Sequence, residues 1–315
     1  MLRECVVKLK VSDVVREIKD VIGVNLEDES TCIAEFISGG SNVILTYTGS
    51  YSSPATYMTL LLRSLTKVNA NFFSPKELTY YVVPYDEGRE ARILIYSSID
   101  GLSELNILMD QLRLTGHEFI VITPTALPNI LSCKIPKERI IVLNLEGKDR
   151  YWPLLAHIVS GLAIARLMNM KGVRVSRVWN ELSNLVPIID SLVSYYEGVI
   201  EDIVDFLSQP LLITSTPTMM AVAEYLAYSR DIRVKRFLVN AEGVRNFVRF
   251  INRLLIIETD VEEYSMKEIK GLVLTAASEI KELKFKTDPL TAPIYGLIIA
   301  RIIEYLYSRK VGRIE

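Results

Sequence analysis

Residues 42–65, NVILTYTGSYSSPATYMTLLLRSL, confine the chain to a narrow set of folds. Val43 to Tyr47 is a β-branched and aromatic run, the composition of a strand buried on both faces. A turn rich in hydroxyls follows, Thr48 to Ser53. Pro54 stands where a first helical position accepts proline, since its missing N–H would be unpaired there, and this makes Ser53 the expected N-cap. Strand, hydroxyl turn and helix in that order belong to an open α/β sheet. There the turn lies at the carboxyl end of the strand, and the helix start offers free N–H groups to an anion. An ordinary capped loop has the same look, so recurrence has to decide.

The pattern recurs. Arg92 to Tyr96 is a second strand, followed by Ser97-Ser98-Ile99-Asp100-Gly101 and an amphipathic helix from Leu102 to Leu114 that stops at Gly116. Phe119 to Thr123 and Arg139 to Leu143 read as further strands, and Trp152 to Met170 as a long apolar helix. Ser176 to Ser208 is helical, with Pro187 as an early break. Leu211 to Thr214 then opens the device again, with Ser215-Thr216-Pro217-Thr218 leading into a helix from Met219 to Tyr228. Strands follow at Val234 to Val239, Leu254 to Glu258 and Glu282 to Phe285. Each half closes on the same signature, Gly161-Leu-Ala-Ile-Ala-Arg166 and Gly296-Leu-Ile-Ile-Ala-Arg301, a few residues after a proline. The order predicts two α/β units of common ancestry, residues 1–175 with N-terminal helices and residues 176–315 with linker helices.

Composition narrows the function. Thirty-six basic and 38 acidic residues leave a net charge of -2, which argues against a nucleic-acid or anionic-membrane surface. No uncharged leader opens the chain, and no apolar run reaches the roughly 20 residues of a membrane span, so a cytoplasmic protein is expected. Cys5, Cys32 and Cys133 are odd in number and widely spaced, which predicts neither disulfides nor a zinc site. Neither a metal nor a cofactor is expected.

The two openings, the turn YSSIDG, the segment NAEGVRNF after a strand and DPLTAP before the last helix together resemble the SIS (sugar isomerase) family. The likeness is to double-SIS proteins built like the isomerase half of glucosamine-6-phosphate synthase, and it spans nearly the whole chain. It implies two flavodoxin-like, doubly wound parallel-sheet units in tandem, with a phosphorylated sugar or aminosugar at the carboxyl edge of the first sheet. On this resemblance the substrate-binding residues are Ser50, Ser52, Ser53, Ser97, Ser98, Thr216, Thr218 and Arg245. The implied function is an aldose–ketose isomerase or aminosugar-phosphate enzyme without glutaminase activity. The alternative is a non-catalytic sugar-phosphate sensor or a regulatory or structural dimer. A homodimer is expected, because the apolar helices ending each half carry more hydrophobic surface than one sheet face needs.

The sequence also departs from the family. Against its S-x-S-G-x-T turn, Tyr96 to Gly101 keeps only Ser98 and puts Ile99 at the glycine that lets backbone approach a phosphate. Isomerisation needs a base. In the family's A-E-E-F-R-H-G segment the glutamate and histidine fall on Gly243 and Asn246, leaving Glu242 as the candidate base, with an exposed helix N-terminal glutamate as its plainer role. Glu224 is a further acid after the second hydroxyl turn, and His157 reads as a core or interface histidine.

Overall fold

A computed structural model describes residues 2–86, 90–247, 250, 253–275 and 279–311. The chain is α/β and divides into two compact units. Asn25–Ser183 is the N-terminal unit, and Met1–Val24 with Asn184–Glu315 is the C-terminal unit. The opening helix α1 (Leu2–Ile22) thus belongs with the second half of the chain rather than with residues 25–175.

The N-terminal unit runs α2 (Glu27–Ser38), β1 (Asn42–Thr48), α3 (Ser53–Leu65), β2 (Asn69–Phe72), α4 (Pro75–Glu77), β3 (Ala91–Ser97) and α5 (Leu102–Thr115). It continues with β4 (Phe119–Thr123), α6 (Asn129–Ser132), β5 (Ile140–Val142), α7 (Trp152–Leu167) and α8 (Val173–Ser183). All five strands are parallel, in the order β2-β1-β3-β4-β5. Alternation sends Ile44, Ile93, Ile95, Phe119 and Val121 onto Leu105, Leu108, Met109 and Leu112 of α5. Neighbouring strand positions face the other way, where Tyr96 sets its hydroxyl 2.5 Å from Ser160 of α7. That helix lies among α2, α3 and α8 and is buried almost throughout, with a Cβ on Gly161 falling 2.4 Å from Leu182 Cδ1.

The C-terminal unit contains α9 (Leu185–Phe206), β6 (Leu211–Ser215), α10 (Met220–Tyr228), β7 (Arg236–Leu238) and α11 (Val244–Phe247). Then come β8 (Arg253–Thr259), α12 (Glu263–Thr275), β9 (Glu279–Phe285) and α13 (Ala292–Val311). Its parallel sheet has the order β7-β6-β8-β9, the same second-first-third-fourth sequence as the other unit. α13 packs on α9 and α10, and a Cβ on Gly296 would meet Val222 at 2.4 Å. α1 joins them through the buried stripe Val11, Val14, Ile18 and Val21.

Several local expectations change. Pro187 does not break the helical stretch, because it sits in the first turn of α9, where its absent N–H leaves no bond unmade; the break is at Asn184. Ser53 is the first residue of α3 rather than its cap, and Ser52 at the cap position makes no side-chain cap bond. The apolar helices that end the two halves leave no surplus surface, since α7 and α13 are buried within their own units. Among the described residues no helix is long and apolar enough to cross a membrane, and no three metal-ligating side chains cluster. Cys32 and Cys133 are free thiols, while the side chain of Cys5 lies outside the described residues.

His157 on α7 is a core residue, its Nδ1 2.6 Å from the Pro153 carbonyl and its ring 4.8 Å from that of Tyr57. Burial pushes its pKa from the ordinary 6.5 down to about 4, against the pull of the carbonyl. A depressed folded-state pKa means stability that is whole above pH 6.5 and is lost as the pH falls toward 4. Urea unfolding across that window should show a loss of about 3 kcal/mol from this group, and His157→Gln should lose correspondingly less. A variant with the wild-type pH slope would remove His157 as its cause.

Candidate functional site

The strand order places β2 on one side of β1 and β3 on the other. α3 leaves β1 toward the α7 face and α5 leaves β3 toward the opposite face, so the carboxyl ends of β1 and β3 form the switch point where open α/β sheets bind ligands. Both hydroxyl turns of the N-terminal unit meet there. The Ser98 N–H donates to the Thr48 carbonyl at 3.1 Å, and Thr48 Oγ1 donates to Ser97 Oγ at 2.8 Å. Gly49 turns at φ +92°. A Cβ on Gly101 would stand 2.2 Å from the Thr48 carbonyl carbon and 2.4 Å from Gly49 N. Gly101 is therefore where the backbones of the two turns come close to each other, while Ile99, at the position of the family's glycine, is 44% exposed.

Ser50, Ser97 and Ser98 are brought together across the two turns. Ser50 and Ser98 each set a hydroxyl against a different oxygen of the Asp100 carboxylate, and the Gly49 N–H donates to Glu104 Oε2 at 3.0 Å. Burial would raise the Asp100 pKa, but the bonds from Ser50, Ser98 and backbone N–H groups outweigh it and hold the carboxyl below its usual range. Ser97 and Ser98 are buried beneath this carboxylate; Ser53 is buried in the first turn of α3, and Ser50 and Ser52 are half-buried. Turn chemistry points to the serines and not to Asp100 or Glu104, whose bonds reach across to the other turn.

The C-terminal unit repeats the arrangement. Thr216 and Thr259 are extended residues that each lead into a short 3₁₀ turn before a helix, and the Thr216 N–H donates to the Ile257 carbonyl at 3.0 Å. Thr218 and Thr259 both donate to the Glu262 carboxylate, Thr259 at 2.9 Å. The hydroxyls of Thr214, Ser215 and Thr216 are buried without a partner among the described residues. Lys270 holds the buried Glu258 at 2.8 Å and Glu282 at 2.9 Å. Glu242 and Arg245 are elsewhere, at the exposed turn and short helix after the edge strand β7, and Arg245 pairs with Glu268. The Gly243 N–H bonds the side chain of Asn240 at 2.8 Å, while Glu224 is buried on α10.

No family model and no curated protein matches the chain. Solved structures do. Glucosamine-6-phosphate deaminase from Thermotoga maritima superposes with a TM-score of 0.66 at 14% identity, over 97% of this chain and 95% of that one. The chain has the sugar isomerase fold. The C-terminal domain of glucosamine-fructose-6-phosphate aminotransferase from Francisella tularensis gives 0.65 at 11% identity, over 96% and 95%. A phosphosugar isomerase candidate from Silicibacter pomeroyi gives 0.71 at 12% identity, over 96% and 98%. At such identities the likeness is one of fold, and the chemistry has to be argued from the residues themselves.

Proposed function

We propose that the protein binds a phosphorylated sugar or aminosugar at the carboxyl edge of the five-stranded sheet, as a diverged aldose–ketose isomerase or aminosugar-phosphate enzyme. The meeting of two hydroxyl turns at the β1/β3 switch point carries this assignment, because it gathers serine hydroxyls and helix-start N–H groups where a dianion is best received. Ser50, Ser52 and Ser98 face the ligand, with Ser53 and Ser97 behind them. Thr216 and Thr218 form the matching turn of a second unit of the same descent, and within that unit Arg245 is a further anion contact and Glu242 the candidate base. Neighbours named for glucosamine-6-phosphate chemistry support the substrate class. The working form is a cytoplasmic homodimer. Gly243 and Asn246 at the family's catalytic positions favour a second function, a sensor that binds the same ligand without turning it over.

Fructose 6-phosphate should raise the melting temperature of the wild type, and Ser98→Ala should remove most of that shift. If the protein is an isomerase, an aldose phosphate forms and Glu242→Gln abolishes it while the shift persists. No shift in the wild type would sink the assignment; a shift without turnover leaves the sensor.

A further inference from the structure

The hydroxyls that a phosphoryl group would use are already taken, and by an anion of the chain itself. Asp100 accepts from Ser50 of one turn and Ser98 of the other through its two separate oxygens, as two oxygens of a bound phosphoryl group would. The N–H of Gly49, the next donor in the cradle, is spent on Glu104. Resting on the sugar-phosphate assignment above, we propose that Asp100 is an internal competitor for the ligand's phosphoryl group and the residue that sets how tightly the site accepts a phosphorylated sugar.

Three observations carry this. A carboxylate and a dianion cannot share the same two donors, since like charges at that separation repel. Asp100 is exposed, lies on a 3₁₀ turn of three residues, Ile99–Gly101, and has no basic partner among the described residues, so its side chain can leave without unpacking anything. The C-terminal unit also bridges its two turns with an acid of the chain, on a single oxygen. There Glu262, the last residue of the corresponding 3₁₀ turn, takes the hydroxyls of Thr218 and Thr259 from two turns. Asp100 is the middle residue of its own turn and accepts through both oxygens, whereas Glu262 takes both hydroxyls on Oε2, so the two sites share a carboxylate bridging two turns and neither the sequence position nor the oxygen-by-oxygen pattern. A ligand then binds only the fraction of molecules whose carboxylate has swung out, and its apparent affinity is reduced by that fraction.

Titration calorimetry with inorganic phosphate and with fructose 6-phosphate, on the full chain, tests this. Asp100→Asn and Asp100→Ala should each bind both about tenfold more tightly than the wild type or better, and adding Ser98→Ala to either should abolish the gain. Using both replacements guards against the asparagine amide making bonds of its own, and circular dichroism confirms that each variant is folded. If the wild type binds and neither variant binds more tightly, the competitor role is overturned while the sugar-phosphate site stands. If wild type and folded variants all fail to bind either probe, both are overturned.

Discussion

Replacing Glu304 by alanine should lower the unfolding free energy of the C-terminal unit by about 3–5 kcal/mol, the usual cost of stranding one member of a buried ion pair. Arg301 and Glu304 are each 3% exposed, and Arg301 Nη1 stands 2.8 Å from Glu304 Oε2. The same carboxylate accepts from the Tyr225 hydroxyl at 2.6 Å and from Ser229. Its loss takes this acceptor from two hydroxyls and this carboxylate from the Arg301 guanidinium, which also stands 3.5 Å from Glu17. Replacing the pair together, Arg301→Met with Glu304→Leu, should restore part of the loss, because no guanidinium is then left facing a missing carboxylate, although the Tyr225 and Ser229 hydroxyls still lack this acceptor. Urea unfolding followed by circular dichroism measures both. A single variant within about 1 kcal/mol of the wild type would mean that water reaches the site and that the pair is not a desolvated one. Arg166, the matching residue of the first half, bonds Ser30 at 2.9 Å and Glu27 at 3.3 Å nearer the surface, so its loss should cost less.

Gly101→Val should abolish sugar-phosphate binding and destabilise the N-terminal unit by about 1–3 kcal/mol, the range for forcing atoms into filled space. The atoms a side chain would strike are the backbone of Thr48 and Gly49, which cannot rotate aside. The two turns would have to part, breaking the bond from the Ser98 N–H to the Thr48 carbonyl and the Ser98 contacts beside it. Ile99→Gly is the contrasting control: at an exposed position it should leave the sugar-phosphate thermal shift near that of the wild type. A Gly101→Val protein that binds normally would show that the turns need not touch.

Much of the fold was legible because its signals are local. Phe119–Thr123 is a strand over the expected residues, since a five-residue apolar run buried on all sides has few other uses. Gly116 ends α5 at φ +75°, where the sequence places the helix stop. What failed depends on distant partners. The attachment of α1 to α9 and α13 has no trace in its own residues beyond an apolar stripe. Apolar content alone could not tell that α7 is enclosed by three helices of its own unit, so it was misread as spare surface. At the site, the serines were found from turn chemistry. The roles of Asp100 and Glu262 were not, because the bonds that reveal them join residues 50 and 44 positions apart.

The C-terminal unit is made from two separate segments, with the whole of Asn25–Ser183 between α1 and its partners. During synthesis α1 emerges before Asn25–Ser183, and that continuous unit is able to close while α9 and α13 are still untranslated. The stripe of Val11, Val14, Ile18 and Val21 therefore waits without cover while the N-terminal unit is being made, which leaves it open to a chaperone over that interval.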